Sequence, residues 1–331
     1  MEYREALIVI PCLNEEEHLP GLLADLARDA PGALIVVADG GSSDRSRAIV
    51  EECAAANPDI RLLDNPKRIQ SAALNLAAQV HGVGRKWLIR ADAHSGYPAG
   101  FVGGLIAAAE RTGAVSVTVP MRTRGVGCFQ RAAAAAQNSL LGTGGSFHRV
   151  GTAGRFVDHG HHALMRLDAF LAVGGYCEAF THNEDAELDH RLRERGGRIW
   201  IEPDLAIDYY PRAQPGALFR QYFRYGEGRA RTVARHRMPL KARQLAPLLV
   251  APAVAAALAA PLAWWMALPA VSWVIGSLGF GLLLGLRARD VCAGGSGIAA
   301  MLMHLGWSLG YWRHLLFGKP LVPPPQPIVL G

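Results

Sequence analysis

The segment Leu34-Ile35-Val36-Val37-Ala38-Asp39-Gly40-Gly41-Ser42-Ser43-Asp44 sets the architecture. Its unbroken apolar run predicts a strand covered on both faces, as in a parallel sheet. Asp39 stands at the strand tip, Gly40 and Gly41 permit a tight turn and close backbone approach, and Ser42 or Ser43 opens the next helix. The alternation continues on both sides. Ala6–Ile10 precedes a helical pattern over Glu16–Ala27, Leu34–Ala38 one over Ser43–Ala56, Ile60–Leu63 one over Ile69–Val80 and Trp87–Ala91 one over Ala99–Arg111, before a further strand at Val115–Pro120. Such spacing predicts βαβ units with right-handed crossovers and helices on both faces of the sheet. Ligands of these folds gather at the carboxyl ends of the strands, so the polar residues there matter most.

The chain has 331 residues, enough for two domains. Half are apolar and 19% charged, with mean hydropathy +0.14, which excludes disorder for the bulk of the chain. Lys and Arg number 34 against 28 acids, a net +6. The excess is concentrated in Arg229, Arg231, Arg235, Arg237, Lys241 and Arg243, with no acid between them. Immediately beyond, Leu245–Leu286 carries no charged side chain. At ~20 residues per span this is long enough for two, with a turn at Pro261–Pro269 beside Trp264 and Trp265. A third apolar stretch, Ile298–Phe317, is interrupted by His304, Arg313 and His314; it either spans or lies flat with Trp307, Tyr311 and Trp312 at the headgroups.

The basic run reads as a positive-inside signal that keeps the N-terminal region in the cytoplasm, or additionally as a binder of anionic lipid or a pyrophosphate headgroup. It abuts a span and lacks interleaved aromatics, which argues against nucleic acid. The expected organisation is a domain over residues 1–228, a basic juxtamembrane segment over 229–244, a membrane domain of two to three helices over 245–317 and a Pro-rich tail over 318–331. Cys12, Cys53, Cys128, Cys177 and Cys292 are odd in number and scattered, with no Cys-x-x-Cys pair. Neither a disulfide framework nor a zinc knuckle is expected, and a reducing cytosol fits. Met1–Glu5 carry charges of both signs and the apolar run ends at Pro11, unlike a signal peptide.

Several constellations could carry chemistry. In Pro11-Cys12-Leu13-Asn14-Glu15-Glu16, Pro11 stops the ladder and Asn14 can cap the next helix. Asp39 either accepts a hydrogen bond from a base edge or ribose hydroxyl, or simply forms the turn. That turn is neither a P-loop nor Gly-x-Gly-x-x-Gly. Asp92-Ala93-His94 offers two ligands that can converge on Mg or Mn beside a diphosphate; alternatively it is a solvated loop with a structural His. In Thr181-His182-Asn183-Glu184-Asp185-Ala186-Glu187-Leu188-Asp189, Leu188 and Leu192 mark a buried stripe, and Thr181 with Glu184 fits a capping box. The acids then occupy a helix's first turn, where the dipole favours them and keeps a carboxylate ionised, as a general base requires. Gln221-Tyr222-Phe223-Arg224-Tyr225-Gly226-Glu227-Gly228 is either an amphipathic helix on a membrane or a clasp in which Arg224 and Tyr225 close over a diphosphate or stack on a sugar.

Taken in order, Pro11-x-x-Asn14-Glu15, Asp39-Gly-Gly-Ser-Ser-Asp44, Asp92-x-His94, Asn183-Glu184-Asp185 and Gln221-x-x-Arg224-Tyr225 resemble the family 2 inverting glycosyltransferases, over roughly Leu7–Gly228. Asn65-Pro66-Lys67-Arg68-Ile69-Gln70 with Ala72–Asn75, the Arg90-x-Asp92-x-His94 signature and the trailing apolar segments look most like the succinoglycan-biosynthesis glucosyltransferases, which extend a lipid-linked exopolysaccharide repeat. The resemblance implies an α/β, GT-A type nucleotide-sugar-binding domain with a mixed, mainly parallel sheet, followed by transmembrane helices. It implies that Asp39 binds uracil, that Pro11, Asn14, Glu15, Arg68 and Asp92 hold the nucleotide sugar, and that Asp92 with His94 replaces the usual Asp-x-Asp metal motif. Asp185 corresponds to the catalytic base, and Glu184, Gln221, Arg224 and Tyr225 to the acceptor or diphosphate side.

Two departures stand out. An imidazole at His94 lowers the negative charge of the metal site. Gln221-x-x-Arg224-Tyr225 differs from the Gln-x-x-Arg-Trp of processive synthases, and the spans are too few for a conduction channel, so single addition is expected. The implied reaction moves glucose from UDP-glucose to a polyprenyl-diphosphate-linked glycan at the cytoplasmic membrane, with a divalent cation. The alternatives are a polyprenyl-phosphate sugar transferase and a non-catalytic membrane-anchored nucleotide-sugar-binding protein. Donor sugar and linkage are expected to depend on the pocket around Phe147–Asp158.

Overall fold

The computed structural model describes residues 3–144, 153–318, 323 and 325–330. The start of the pocket segment expected around Phe147 lies outside the described residues, as does part of the tail. The chain divides into two compact units: Met1–Met121 with Gly151–Ile207 and Pro323–Gly331, and Arg122–Val150 with Asp208–Val322. Residues 208–228, expected with the first domain, therefore stand in the second unit.

The first unit is built on strands β1 (Ala6–Cys12), β2 (Leu34–Asp39), β3 (Ile60–Asp64), β4 (Trp87–Arg90), β5 (Ser116–Val119), β7 (Arg155–Val157), β8 (His161–Arg166) and β9 (Ile199–Ile201). They form one sheet in the order β3-β2-β1-β4-β8-β5-β9-β7. β3, β2, β1 and β4 run parallel, as do β5 and β9. The β1–β2 register continues through Pro11–Ala38 to Cys12–Asp39, so Pro11 does not stop the ladder as expected: a proline removes one donor without ending the pairing. β8 lies antiparallel between β4 and β5, and β7 is antiparallel to β9. Two further strands, β6 (Met121–Thr123) and β10 (Ile207–Tyr209), pair in a separate ribbon.

Crossovers are made by α1 (Leu19–Asp29), α2 (Ser46–Ala56), α3 (Gln70–His81) and α4 (Phe101–Thr112). Successive residues of β1 point to opposite faces, so Ile8 and Ile10 pack with Leu23, Ile35 and Phe101, while Leu7 and Val9 pack with Val36, Leu74 and Phe170. Each such side chain stabilises the fold by ~1.5–3 kcal/mol on full burial. From the tail, Ile328 and Leu330 pack against the second of these faces, and the Ile328 amide donates to Leu171 O at 3.0 Å.

Three helices start two or three residues later than their periodicity predicts, each for a local reason. α1 begins at Leu19 rather than Glu16, with His18 and not the expected Asn14 at its N-cap, because the Glu15 and Glu16 amides donate to Ser46 Oγ (2.8 Å) and Asp44 Oδ2 (3.1 Å) across the neighbouring turn. α2 begins at Ser46 rather than Ser43, whose amide donates to Asn14 Oδ1 at 2.8 Å. α4 begins at Phe101 after Gly100, which sits at φ +75° with Asp29 accepting from the Gly100 and Val102 amides. The helices α7 (Leu167–Ala172) and α8 (Glu184–Glu194) complete the unit. The capping box expected from Thr181 and Glu184 is not formed: Asn183 precedes α8 in the left-handed region at φ 65° without a side-chain cap, and Thr181 Oγ1 pairs with His182 Nδ1 at 3.1 Å.

The second unit is helical: α5 (Cys128–Gln137), α6 (Leu140–Thr143), α9 (Pro215–His236), α10 (Ala242–Leu248), α11 (Val250–Ala257), α12 (Leu268–Ala288), α13 (Val291–Gly294) and α14 (Ser296–Phe317). α9 and α14 approach closely because Gly226 lies against the Trp307 carbonyl, and Gly306 and Gly310 against the Phe219 and Phe223 carbonyls. Any Cβ at these positions would collide with backbone.

Within the apolar stretch, one helical segment among the described residues, Trp264–Ala288 (α12 with the 3-10 turn Trp264–Ala267 before it), is long and apolar enough to cross a membrane, with mean hydropathy 1.8 and 17% of its window buried. Its buried positions are small (Ala270, Ser277, Gly281, Gly285), whereas Ile275, Leu278, Leu282 and Leu286 face outward. The first half of the expected hairpin, Ala242–Ala257, is shorter than a span and carries Pro247 inside a helix. One cysteine expectation is corrected: Cys128 and Cys292 form a disulfide joining α5 to α13. Their separation of 164 residues is closed by helix packing that no local spacing announces.

Candidate active site

The order β3-β2-β1-β4 reverses direction at β1, and the polar residues beyond the carboxyl ends of these strands lie in the first unit, where folds of this kind bind their ligands. At the nucleotide-like end, Asn14 takes a left-handed conformation (φ 56°) that lets it reach the facing turn. Its amide donates to Ser42 Oγ (2.9 Å) and its Oδ1 accepts from the Ser43 amide (2.8 Å). Asp39, continuing β2, is engaged on both oxygens: Oδ1 accepts from Ser42 Oγ at 2.5 Å, and Oδ2 from the Gly41 and Ser42 amides and Arg47 at 2.9–3.1 Å. Its side chain is 1% exposed. Burial pushes its pKa up, but these donors outweigh it and hold the carboxyl below its usual range. Arg68, also at positive φ (57°), lays its guanidinium against Gly41, where a Cβ would stand 2.9 Å from Nη2. It is exposed and has no ion-pair partner among the described residues.

At the other end, Arg90 closes β4 as a buried cation. It donates from Nε to Asp92 Oδ1 and from Nη1 to Asp185 Oδ1, both at 3.0 Å, and so ties the loop after β4 to the start of α8. Arg90 belongs to the quoted Arg-x-Asp-x-His signature, yet nothing in the sequence gives it this bridging role. Asp185 is met on the same Oδ1 by Tyr176 Oη (3.0 Å) and His162 Nδ1 (3.3 Å). Its Oδ2 has no partner among the described residues, and the side chain is 21% exposed. Burial would raise the Asp185 pKa, but Arg90 and His162 more than offset it and keep the carboxylate ionised far below the usual range.

Glu184, one residue earlier, has the opposite balance. Burial and the Asp185 charge push it up to about 7 against the pull of Arg90. Behind the site, His162 is fully buried, with Nε2 at 2.7 Å from Asp189 Oδ1 and Nδ1 at 2.6 Å from Tyr176 Oη. Next to it, His161 Nε2 is 3.5 Å from Asp92 Oδ2; burial and then Arg90 lower its pKa to about 4, so it is neutral at physiological pH. His161, His162 and Tyr176 enter the site without belonging to any of the quoted motifs, and Asp189, which stands in one, has no role assigned by it. A signal was present: two imidazoles open an apolar strand run, and Asp189 interrupts the buried stripe one helical turn after Asp185.

The metal-like pair separates. Asp92 is held by Arg90 and His161, while His94 Nδ1 is 3.0 Å from Glu15 Oε1. No three metal-ligating side chains converge among the described residues. The donor chemistry still fits a divalent ion. A carboxylate backing one imidazole nitrogen fixes the ring and leaves Nε2 for a ligand, as around many metal-bound histidines, and Mg commonly takes only one or two protein ligands beside phosphate oxygens. Gln221, Arg224 and Tyr225 lie on α9 in the second unit, where Gln221 Nε2 donates to Tyr209 Oη (3.0 Å) and Tyr225 Oη (2.9 Å), and Arg224 is exposed. Pro11, Asn14, Glu15, Asp39, Arg68, Asp92, His94, Glu184 and Asp185 all lie in the first unit.

The sequence matches glycosyl transferase family 2 over residues 7–174. It is also 49% identical over 313 residues to the succinoglycan biosynthesis protein ExoA of Rhizobium meliloti (strain 1021), covering 94% of this chain and 95% of that protein. The chain belongs to glycosyl transferase family 2. Its fold is the GT-A type, with a mixed, mainly parallel sheet. A similar solved structure is the mannosyltransferase PcManGT from Pyrobaculum calidifontis in complex with GDP-Man and Mn2+, with a TM-score of 0.58 at 19% identity over 91% of this chain and 87% of that one. GalNAc-T7 with UDP, GalNAc and Mn2+ gives a TM-score of 0.50 at 14% identity, over 70% of this chain and 47% of that one. As a family 2 member, the protein is a nucleotide-sugar-dependent glycosyltransferase.

Proposed function

We propose that this glycosyltransferase moves glucose from UDP-glucose, with inversion, onto a polyprenyl-diphosphate-linked oligosaccharide during exopolysaccharide synthesis at the cytoplasmic face of the inner membrane. The observation that carries the reading is Asp185: an ionised carboxylate anchored through Oδ1, with no partner on Oδ2 among the described residues. In the reaction, Oδ2 takes the proton of the acceptor hydroxyl as its oxygen forms a bond to the anomeric carbon. The bond from that carbon to the diphosphate breaks, and the electron pair leaves with UDP. Asn14 and Asp39 hold the turn against which the nucleotide lies, with Pro11 paired to Ala38 beside it in β1 and Arg68 free to meet phosphate. This gives Asp39 a supporting role in place of the direct uracil contact expected from the motif. Asp92 and His94 would hold a Mg or Mn ion, which when bound neutralises charge on the leaving diphosphate. Glu184, Gln221, Arg224 and Tyr225 are assigned to the acceptor or diphosphate on the motif alone.

The 49% identity to ExoA supports the exopolysaccharide role. The outward-facing Leu and Ile of Trp264–Ala288 support membrane anchoring, with Ala242–Ala257 and α14 completing a domain of two to three helices and the preceding arginines on the cytoplasmic side. A second reading, sugar transfer to polyprenyl phosphate, is favoured by 31% identity to the polyprenol monophosphomannose synthase of Mycolicibacterium smegmatis, confined to 93 residues, 27% of this chain and 35% of that one. The test is UDP release from a panel of UDP-sugars with membrane lipid extract, with Mg, Mn or EDTA, followed by analysis of the lipid product. An extended oligosaccharide made from UDP-glucose supports the proposal. A single sugar on lipid phosphate favours the second reading, and no UDP release from any donor contradicts both.

A further inference from the structure

His162 sits in β8 ahead of Ala163, Leu164 and Met165, with its side chain wholly buried. A neutral imidazole offers one donor and one acceptor. Here both nitrogens face acceptors: Nε2 faces the Asp189 carboxylate at 2.7 Å, and Nδ1 faces Tyr176 Oη at 2.6 Å and Asp185 Oδ1 at 3.3 Å. The single hydroxyl hydrogen of Tyr176 goes to Asp185 Oδ1 at 3.0 Å, so its oxygen is left to accept from His162. The ring is therefore an imidazolium. Burial opposes that charge, but Asp189 and then Asp185 raise its pKa to about 10.

Asp185 and Asp189 stand one turn apart on α8, so a single ring spans both. Asp189 is fixed in turn, its Oδ2 accepting from the Gly160 amide at 3.2 Å. Among the described residues, every donor that reaches the Asp185 side chain (Arg90 from β4, His162 from β8, Tyr176 ahead of α8) lands on Oδ1. We propose that His162, braced by Asp189 and relayed by Tyr176, is a positioning residue that pins one oxygen of Asp185 and leaves the other directed at the acceptor hydroxyl. The inference rests on Asp185 being the base. It assigns to β8 and Asp189 a role in turnover that neither the motifs nor the relatives' names describe.

A purely structural His162 would alter stability and leave the acid limb of kcat in place. A positioning His162 moves that limb. The charged and titratable groups facing Asp185 are Arg90, His161, His162, Tyr176, Glu184 and Asp189. Removing the imidazolium lets Asp185 hold its proton more tightly, so the limb shifts to higher pH.

The experiment uses the full chain in membranes, with UDP-glucose and lipid extract, and compares kcat and KM across pH for the parent, H162Q, Y176F and D185N, with UDP binding by calorimetry. H162Q is expected to lose about 100-fold in kcat, with KM for UDP-glucose and UDP affinity unchanged and the acid limb raised. Y176F, which loses one donor to Oδ1, is expected to shift the same way with about a 10-fold loss. A folded, UDP-binding H162Q with the parent's kcat and acid limb overturns the inference. If H162Q does not fold, Y176F decides, and an unchanged profile there overturns it equally. Turnover persisting in D185N strikes the base assignment itself, whereas an inactive D185N beside an unperturbed H162Q strikes this inference alone.

Discussion

Asp39 and Asp185 look alike in the sequence, each an aspartate at the edge of an element among other polar residues, yet the structure treats them oppositely. Asp39 is sealed, with donors on both oxygens and 1% of its side chain exposed. Among the described residues, Asp185 gathers three donors on one oxygen and none on the other, and it is 21% exposed. The number of unspent lone pairs, more than the residue type, separates a carboxylate that builds a turn from one that can take a proton. Both are held ionised, against burial, by nearby donors and cations, so charge alone does not tell them apart.

The comparison breaks most visibly at Arg90, the buried cation shared by Asp92 and Asp185. Arg90→Met should cost about 3–5 kcal/mol in denaturant unfolding, because two carboxylates lose their buried partner. A cost below about 1 kcal/mol would mean the pairing is not what holds Asp185.

A smaller effect is expected at Glu184. With its pKa raised to about 7, it binds its proton more tightly folded than unfolded. Its contribution to stability is therefore present at low pH and is lost as pH climbs from its ordinary value of 4.5 through 7. Its ionisation places a negative charge beside Asp185 and raises the basicity of that carboxylate, so the parent's kcat should show a second, smaller rise near neutrality, separate from the acid limb that Asp185 itself sets at lower pH. In Glu184→Gln that rise should flatten and the stability loss above pH 4.5 should shrink. An unchanged inflection would assign it to another group.

The smallest change is expected at the sealed end. Arg47 is 37% exposed and shared between Asp39 and Asp64. Arg47→Ala should weaken stability by about 0–1 kcal/mol and leave kcat intact by UDP-release assay.

Much of this was legible in advance. The apolar runs and helix patterns foretell β1 to β5 and α1 to α4, because buried parallel strands and amphipathic helices write their periods locally. What the sequence could not show is tertiary. The late starts of α1 and α2 come from Asn14, Asp44 and Ser46 tying two loops together. The antiparallel insertion of β8 brings His161 and His162 into the site from far along the chain. The Cys128–Cys292 bond depends on the packing of α5 and α13. Motif spacing also marked Asp92 and His94 as a pair, while their side chains engage Arg90 and Glu15 separately.

The most direct test sets Asp185→Asn beside Asp39→Asn, measuring kcat with UDP-glucose and the Kd for UDP in both. With Oδ2 unable to take a proton, Asp185→Asn should lose at least about 1000-fold in kcat while binding UDP like the parent. Asp39→Asn, which turns an NH2 group toward backbone amides and Arg47, should bind UDP about 10-fold more weakly yet turn over at saturating donor. An active Asp185→Asn, or an Asp39→Asn that binds normally and is catalytically dead, would contradict the account.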